Sequence, residues 1–383
     1  MNCITAGIYE RGFFVYWPKI CTLSFMDTEA KKFLFDLLST PSPTGFEVAG
    51  QRVWAKYLKK YSDSVQNDAY GNTWATIKGT DKEKSVMLEV HADEIGYIVK
   101  YISPEGFLAV DRIGGSDVAT ARGRWVTLFG DKGEVSGIIG NTAIHIRDRK
   151  GGEEKTPDVH ELYVDIGAKT DKEVEKMGLR VGHPMVYSDT LRDLGKECIA
   201  GRALDNRIGG YIVSQVLRNL SKKKKPVWTV HAVNAVQEEI GGYGAKMITH
   251  RLLPEIAVVF DVTHSTDTPG IKKEQHSKLE MRKGPTVTHG ACNHPAVIDR
   301  LIATAKKNKI TIQHEAAGRY SGTDTDQIYH VQEGIPSALV SIPLRYMHSV
   351  VEMASTKDID HAVTLLTDFV LSLTAKDTFG VKL

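Results

Sequence analysis

The sequence lacks the cysteine pattern of a disulfide-stabilised protein or of a cysteine-ligated metal site. Its 383 residues include only four cysteines, at positions 3, 21, 198 and 292, and none of them forms a CxxC pair. This scarcity argues against a disulfide framework and favours free thiols in a reducing, cytoplasmic setting. Any bound metal is therefore expected to be held by histidine, aspartate and glutamate side chains.

Other absences narrow the function further. No run approaches the roughly 20 consecutive apolar residues of a transmembrane helix. The formal net charge is only +2, and we interpret the basic run at residues 222–225 as a solvated loop. We therefore expect neither a membrane nor a nucleic acid as partner. GxxxxGK(S/T), HExxH and GxSxG motifs are also missing, which leaves phosphate-loop, zincin and serine-hydrolase functions without support.

The first 25 residues differ from the remainder of the chain. They carry several aromatic side chains, but charged residues interrupt any signal-peptide core. Met26 is followed by Asp27 and Thr28, either of which is suited to cap a helix. We interpret residues 1–25 as an N-terminal extension. It is either the result of a mis-assigned start, with Met26 as the natural first residue, or a genuine extension that is poorly ordered.

Two regions with one pattern of apolar residues flank a region with a different pattern. Residues 26–95 and 199–383 alternate helical patterns with short apolar runs, which predicts an α/β fold: a mostly parallel mixed sheet with helices on both faces. Residues 96–198 hold short alternating segments between glycine-rich turns, which predicts a small β-barrel. Because candidate ligands lie on both sides of it, we interpret the barrel as a domain inserted into a discontinuous catalytic domain.

Histidines and carboxylates follow the predicted strands, where ligands bind in open α/β sheets. A further aspartate opens a helical pattern. Paired glutamates follow the predicted strand at residues 227–236, and two adjacent carboxylates are unfavourable inside a strand. In chain order the candidates are His91, Asp93, Asp205, Glu238, Glu239, Asp261, His264 and His348.

Five of these side chains suit a dinuclear hydrolytic metal site. Asp205 is able to bridge two metals because a carboxylate has two oxygens. His91 and Asp261 would complete the shell of one metal, and Glu239 and His348 that of the other.

Two more residues fit supporting roles. Glu238 is then free to act as general base for the attacking water. Asp93 lies two residues beyond His91 in an extended chain, on the same side, where it is able to accept the imidazole N–H and fix its tautomer.

Each residue also has a simpler interpretation. A lone histidine such as His91 is more often a satisfied core or surface side chain, and Asp205 suits a helix N-terminus. Glu238 and Glu239 would also serve as a solvated pair. The loop at residues 321–324 is interpreted as a turn, with lining of the substrate pocket as the alternative. The metal site is favoured because all five ligand candidates fall at element ends that share one crevice.

Six motifs together resemble a known family, the tetrahedral aminopeptidases. These are dinuclear-zinc exopeptidases, also called glutamyl or deblocking aminopeptidases. The resemblance runs from about Met26 to the C-terminus. The motifs are HADEIGY (His91–Tyr97), ALDNR (Ala203–Arg207), VQEEIG (Val236–Gly241), FDVTH (Phe260–His264), SGTDTD (Ser321–Asp326) and YMHS (Tyr346–Ser349).

The resemblance implies an aminopeptidase that trims short peptides through a hydroxide held by two divalent metals per subunit, and the scarcity of cysteine places it in the cytoplasm. Zinc is expected, with cobalt or manganese as alternatives. It implies the ligand, base and orienting roles given above, an inserted dimerisation domain, and dimers that assemble into a dodecamer. The segment Gly241–Gly244 departs from the family pattern, which puts pocket details or assembly contacts in doubt.

Other functions stay open at this point. A metal carboxypeptidase or deacylase would have a similar core. A glycosidase is a more distant alternative, since some relatives carry a cellulase label, and it would use two carboxylates roughly 5–10 Å apart without a metal. A non-catalytic assembly protein built on the barrel is the remaining one, although the complete ligand set argues against it.

Overall fold

The structure, a computed structural model, describes residues 27–146, 156–381 and 383. Residues 1–25 and Met26, and with them the interpretation of the chain start, lie outside the described residues. No helix in the described part is long and apolar enough to cross a lipid bilayer.

Helices and strands alternate along much of the chain. The helices are α1 (Thr28–Ser39), α2 (Val48–Leu58), α3 (Val118–Ala121), α4 (Asp171–Lys176), α5 (Leu204–Ser221), α6 (Tyr243–Leu252), α7 (Lys273–His276), α8 (Pro295–Lys307), α9 (Thr325–Ile328) and α10 (Thr356–Ser372). The strands are β1 (Ser64–Asn67), β2 (Thr73–Ile77), β3 (Ser85–His91), β4 (Gly96–Ile102), β5 (Leu108–Ile113), β6 (Trp125–Gly130), β7 (Gly133–Ile139), β8 (Tyr163–Asp165), β9 (Pro184–Tyr187), β10 (Arg192–Leu194), β11 (Cys198–Gly201), β12 (Thr229–Ala235), β13 (Ile256–His264), β14 (Thr286–Gly290), β15 (Gln313–Ala317), β16 (Ser337–Leu344) and β17 (Glu352–Ser355).

Eight strands form one mixed sheet in the order β1-β2-β12-β3-β13-β16-β14-β15. The central strands β12, β3, β13 and β16 are parallel, as are β14 and β15. The pairs β1–β2, β2–β12 and β14–β16 are antiparallel. The predicted mostly parallel mixed sheet is confirmed. Parallel strands point the same way, so the four central ones bring their carboxyl ends to one edge.

The sheet is covered on both faces, as β3 illustrates. Val86, Leu88 and Val90 pack into the larger apolar cluster together with side chains of α1, α2, α5, α8 and α10. Met87 packs into a smaller cluster that includes side chains of α6 and α9. Because side chains alternate along a strand, His91 lies on the same side as Met87.

Among the described residues between β3 and β11, six strands close into a barrel in the order β4-β5-β8-β7-β6-β9, around an apolar cluster of its own. The predicted inserted β-barrel is confirmed. The predicted insertion, residues 96–198, also includes β10, which pairs instead with β11 and joins β17 in a separate three-stranded sheet. The division into domains stays a prediction, and we propose that the barrel unit ends near Tyr187.

Some element bounds differ from the sequence expectation. Of the two candidate caps for α1, Asp27 takes the role, because its carboxylate accepts the backbone N–H of Ala30 at 2.9 Å. The strand expected to end at Phe260 continues as β13 to His264, so Asp261 lies within it. An acid inside an otherwise apolar run conceals this continuation.

Candidate metal centre

The carboxyl ends of the central strands bring the candidate ligands together. His91 is the last residue of β3, and Asp261 lies in the last half of β13. Glu239 follows β12 after a short turn, and His348 follows β16. Asp205, in the first turn of α5, lies between the two histidines. The four strands and one helix therefore meet in one crevice.

Two overlapping groups of side chains have the composition of a cation site. The His91 group consists of His91, Asp205 and Asp261, and its ligand atoms lie within 4.8 Å of one another. His91 Nε2 is 3.2 Å from Asp205 Oδ1 and 3.8 Å from Asp261 Oδ1.

The His348 group consists of Asp205, Glu239 and His348, again with ligand atoms within 4.8 Å. His348 Nε2 is 3.3 Å from Asp205 Oδ2 and 3.5 Å from Glu239 Oε2. The two oxygens of Asp205 therefore face two different histidines, which is the arrangement that a bridging carboxylate needs.

The charge of the groups suits bound cations. Burial raises the pKa of Asp261 to about 7 and that of Glu239 well above its ordinary value. Although Asp205 is buried too, its pKa is lowered, because the imidazoles of His348 and His91 hydrogen-bond to it. The buried Glu239 Oε1 has no hydrogen-bond partner in the described part of the chain. Divalent cations would neutralise this crowding, so the donor set fits them.

Glu238 lies beside both groups without belonging to either. Its Oε2 is 3.7 Å from His91 Nε2, and its side chain retains 15% exposure. Burial raises its pKa well above the ordinary value. It is therefore a carboxylate with access to the cavity and with a raised affinity for a proton, as a general base at neutral pH requires.

Asp93 does more than the sequence indicated. Its Oδ1 is 3.4 Å from His91 Nδ1, which is long for a hydrogen bond. Its two oxygens also accept the backbone N–H groups of Glu238 and Glu239, at 3.1 and 3.2 Å, and the hydroxyl of Thr44 at 2.8 Å. Asp93 thus fixes the turn that carries both glutamates.

A second carboxylate supports the same turn. Glu47 accepts the N–H of Gly45 at 2.7 Å, and its carboxylate also accepts the backbone N–H of Gln237. Burial raises the pKa of Glu47 to about 7. Sequence analysis missed this residue, since nothing in the sequence links position 47 to position 237.

Glu352 is another supporting residue that sequence analysis missed. It is 1% exposed, and it accepts the backbone N–H groups of His348 at 2.8 Å and of Asp205 at 3.0 Å. The Glu352 carboxylate therefore fixes the backbone of two members of the His348 group, Asp205 and His348. A single glutamate in the short strand β17 gives no signal of this role in the sequence.

The barrel contributes to the site through its Gly114–Gly115 turn. His348 Nδ1 donates to the carbonyl of Gly115 at 3.1 Å, which leaves Nε2 free to bind a metal. A Cβ at Gly115 would lie 2.4 Å from His348 Nδ1, and one at Gly114 would lie 3.1 Å from Glu239 Oε2. Glycines are therefore needed where the barrel meets the ligands.

The two groups open into a cavity of about 730 Å³. Its walls include His264 at the end of β13, the loop at residues 321–323 and Glu315 of β15. The alternative interpretation of that loop, as part of the pocket lining, agrees with this position. His264 belongs to neither group.

Comparison with known proteins decides the family. The sequence profile of the M42 glutamyl aminopeptidase family matches residues 71–365. The chain belongs to this family. The M42 match confirms the resemblance found from the motifs, and the chain is accordingly an enzyme, an aminopeptidase.

Individual relatives agree with the M42 assignment. A lysyl aminopeptidase of Pyrococcus furiosus is 32% identical over 332 residues, which cover 86% of this chain and 93% of that protein. The TET aminopeptidase of a marine-sediment Thaumarchaeota archaeon superposes with a TM-score of 0.86 at 29% identity, covering 91% of this chain and 97% of that one. The Pyrococcus horikoshii TET1 peptidase shares the fold, with a TM-score of 0.78 at 24% identity over 90% and 100% of the two chains.

Proposed function

We propose that this M42 aminopeptidase binds two divalent cations and removes N-terminal residues from short peptides. The observation that carries the proposal is Asp205, whose two oxygens each face a different histidine. Zinc is the expected cation, and cobalt or manganese also suits imidazole and carboxylate ligands.

The ligand roles follow from the two groups. His91 and Asp261 would hold one cation, Glu239 and His348 the other, and Asp205 would bridge them. When bound, such cations supply Lewis acidity, which lowers the pKa of water and polarises a carbonyl group.

Glu238 is the proposed general base. It would accept the proton of the attacking water at its carboxylate and pass it to the leaving amine. Its position beside His91 and its raised pKa support this role. Asp93 is a positioning residue, because it binds the backbone of Glu238 and faces the ring of His91.

The cavity also suits the free amino group of a peptide. The wall near the two groups is crowded with carboxylates, among them Asp205, Glu239 and Asp261. With cations bound, these carboxylates would be neutralised, and the neutral amino group of a peptide N-terminus would be a further ligand for one of the cations. The M42 family match supports an aminopeptidase over a carboxypeptidase.

Assembly and location are part of the same proposal. We propose a cytoplasmic homo-oligomer in which the inserted barrel dimerises and dimers build a dodecamer. The Pyrococcus horikoshii TET1 peptidase, which shares the fold, assembles into a tetrahedron or a large octahedral shell. Light scattering of the purified protein tests this assembly.

The function is tested with paired peptides, one with a free and one with an acetylated N-terminus, before and after chelation and after return of zinc, cobalt or manganese. We expect residues to be released only from the free N-terminus, and activity to follow the metal. Cleavage of the acetylated peptide would instead indicate a carboxypeptidase or deacylase. Hydrolysis of a glucan that survives chelation would indicate a glycosidase.

A further inference from the structure

The far wall of the cavity contains a carboxylate that the proposed reaction does not use. Glu315, in β15, accepts the hydroxyl of Thr263 at 2.7 Å on Oε1 and that of Thr288 at 3.0 Å on Oε2. Two hydroxyl donors hold the carboxylate in place. Each oxygen keeps a further acceptor site for a ligand.

This charge has no counter-ion in the described part of the chain. No Lys or Arg nitrogen there lies within ion-pair distance of Glu315, and none of the described residues that line the cavity is Lys or Arg. Asp326, the other acid of that wall, already accepts the backbone N–H groups of Ser321 and Gly322, at 3.0 and 2.9 Å. Asp326 is thus bound to the backbone of its own loop, whereas Glu315 is held only by two hydroxyl groups and is the better candidate to bind a cation from the substrate.

The position of Glu315 relative to the His91 group fits a long side chain. Thr263, its hydrogen-bond donor, follows Asp261 of the His91 group by two residues along β13, so the two side chains point to the same side and Glu315 lines the cavity next to that group. The flexible four-carbon stem of a lysine suits a carboxylate that lies beyond the residues proposed to bind the cations. Val262 and Met347 line the cavity as well and offer apolar contacts for the stem.

We propose that Glu315 makes the enzyme prefer peptides with lysine or arginine at the N-terminus. The inference rests on the proposed function, since it assigns the pocket for the side chain of the residue that is removed. An N-terminal glutamate would meet Glu315 without a cationic partner, so the chain is expected to disfavour the residue after which the family is named.

The test compares kcat/KM for lysyl, arginyl, norleucyl, leucyl and glutamyl p-nitroanilides with the metal-loaded enzyme. Lysine and norleucine share the same stem and differ in the ammonium group alone. We expect the unmodified enzyme to favour lysine over norleucine at least tenfold. Glu315→Gln keeps an acceptor oxygen for one threonine and offers an N–H to the hydroxyl oxygen of the other. It should lower the lysyl and arginyl values 10- to 100-fold and change the norleucyl value less than threefold.

Glu134→Gln, at an exposed glutamate on the barrel, is the matched control and should change nothing. An active enzyme that cleaves norleucyl or glutamyl substrates as well as lysyl ones overturns the inference and leaves the proposed function intact. The same holds if Glu315→Gln lowers all values equally. A chain that releases no residue from any substrate with any metal overturns both. The lysine-to-norleucine ratio of the unmodified enzyme decides the point even if the variant does not fold.

Discussion

The carboxyl edge of the sheet and the interior of the barrel differ in the polarity of their buried side chains. At the edge, buried acids crowd around two histidines, and some of their oxygens lack a donor in the described part of the chain. The barrel interior is almost entirely apolar, and its buried tyrosines Tyr97 and Tyr187 bond to each other at 2.9 Å. Unpaired buried charge costs stability, so the edge is arranged for cation binding and the barrel for packing.

The two regions nevertheless meet at the ligands. The Gly115 carbonyl of the barrel side accepts from His348, and the Gly114 backbone approaches Glu239. Substitutions in the two regions are therefore expected to differ: some affect only the chemistry, some only the packing, and those where the regions meet affect both.

Glu238→Gln is expected to have the largest effect, and only on the chemistry. Gln keeps the shape but cannot accept the proton, so kcat should fall about 10³-fold, or about 4 kcal/mol in the activation barrier. Metal content should stay the same, because Glu238 belongs to neither ligand group. Steady-state kinetics and elemental analysis of the same sample check both. Substantial residual activity would remove Glu238 from the base role.

Leu128→Ala is expected to affect only the packing. Leu128 is fully buried in the barrel cluster, and its truncation should lower the free energy of unfolding by about 2–5 kcal/mol. Denaturant unfolding followed by fluorescence measures this, with exposed Glu134→Gln as the control. Activity per folded molecule should be retained. A loss of kcat comparable to that of Glu238→Gln would show that barrel packing governs the chemistry directly.

Gly115→Ala is expected to affect the boundary between the two regions. The new Cβ would stand 2.4 Å from His348 Nδ1, so the ring has to move and its bond to the Gly115 carbonyl is distorted. Loss of such a supporting contact typically weakens metal affinity about 10- to 100-fold. Competition with a chromogenic chelator measures the affinity. Gly380→Ala, where a Cβ meets nothing within 4 Å, is the control. Equal metal affinities in the two variants would show that the contact from the barrel does not support the metal site.

The sequence predicted side-chain patterns better than backbone contacts. The apolar run before His91 and the alternating segments of the barrel reflect which side chains are buried. The sheet, the helices and the barrel were therefore predictable from such patterns. The convergence of the five ligand candidates followed from the rule that parallel strands end at one edge. Glu352 and the Gly115 carbonyl were not predictable, because they act on or through backbone atoms that any sequence possesses. Only the folded chain brings them to His348.

Asp360→Asn should have the smallest effect, and it tests whether buried charge is costly away from the edge. Asp360 lies in α10, outside the cavity wall, and burial raises its pKa to about 7. The unfolded chain titrates near 3.8, so the folded state binds more protons between about pH 4 and pH 7, and stability falls as the pH rises through that window. Asn does not ionise and escapes this loss. The variant should exceed the unmodified protein at pH 8 by about 1 kcal/mol and near pH 4.5 by only a small part of that, since solvent screening weakens the effect of a half-exposed group. Denaturant unfolding at both pH values measures the difference, with exposed Asp299→Asn of α8 as the control. If the variant is no more stable than the unmodified protein at pH 8, this protein tolerates a buried acid without a cation. The crowding of carboxylates at the edge of the sheet would then be weaker support for bound metal.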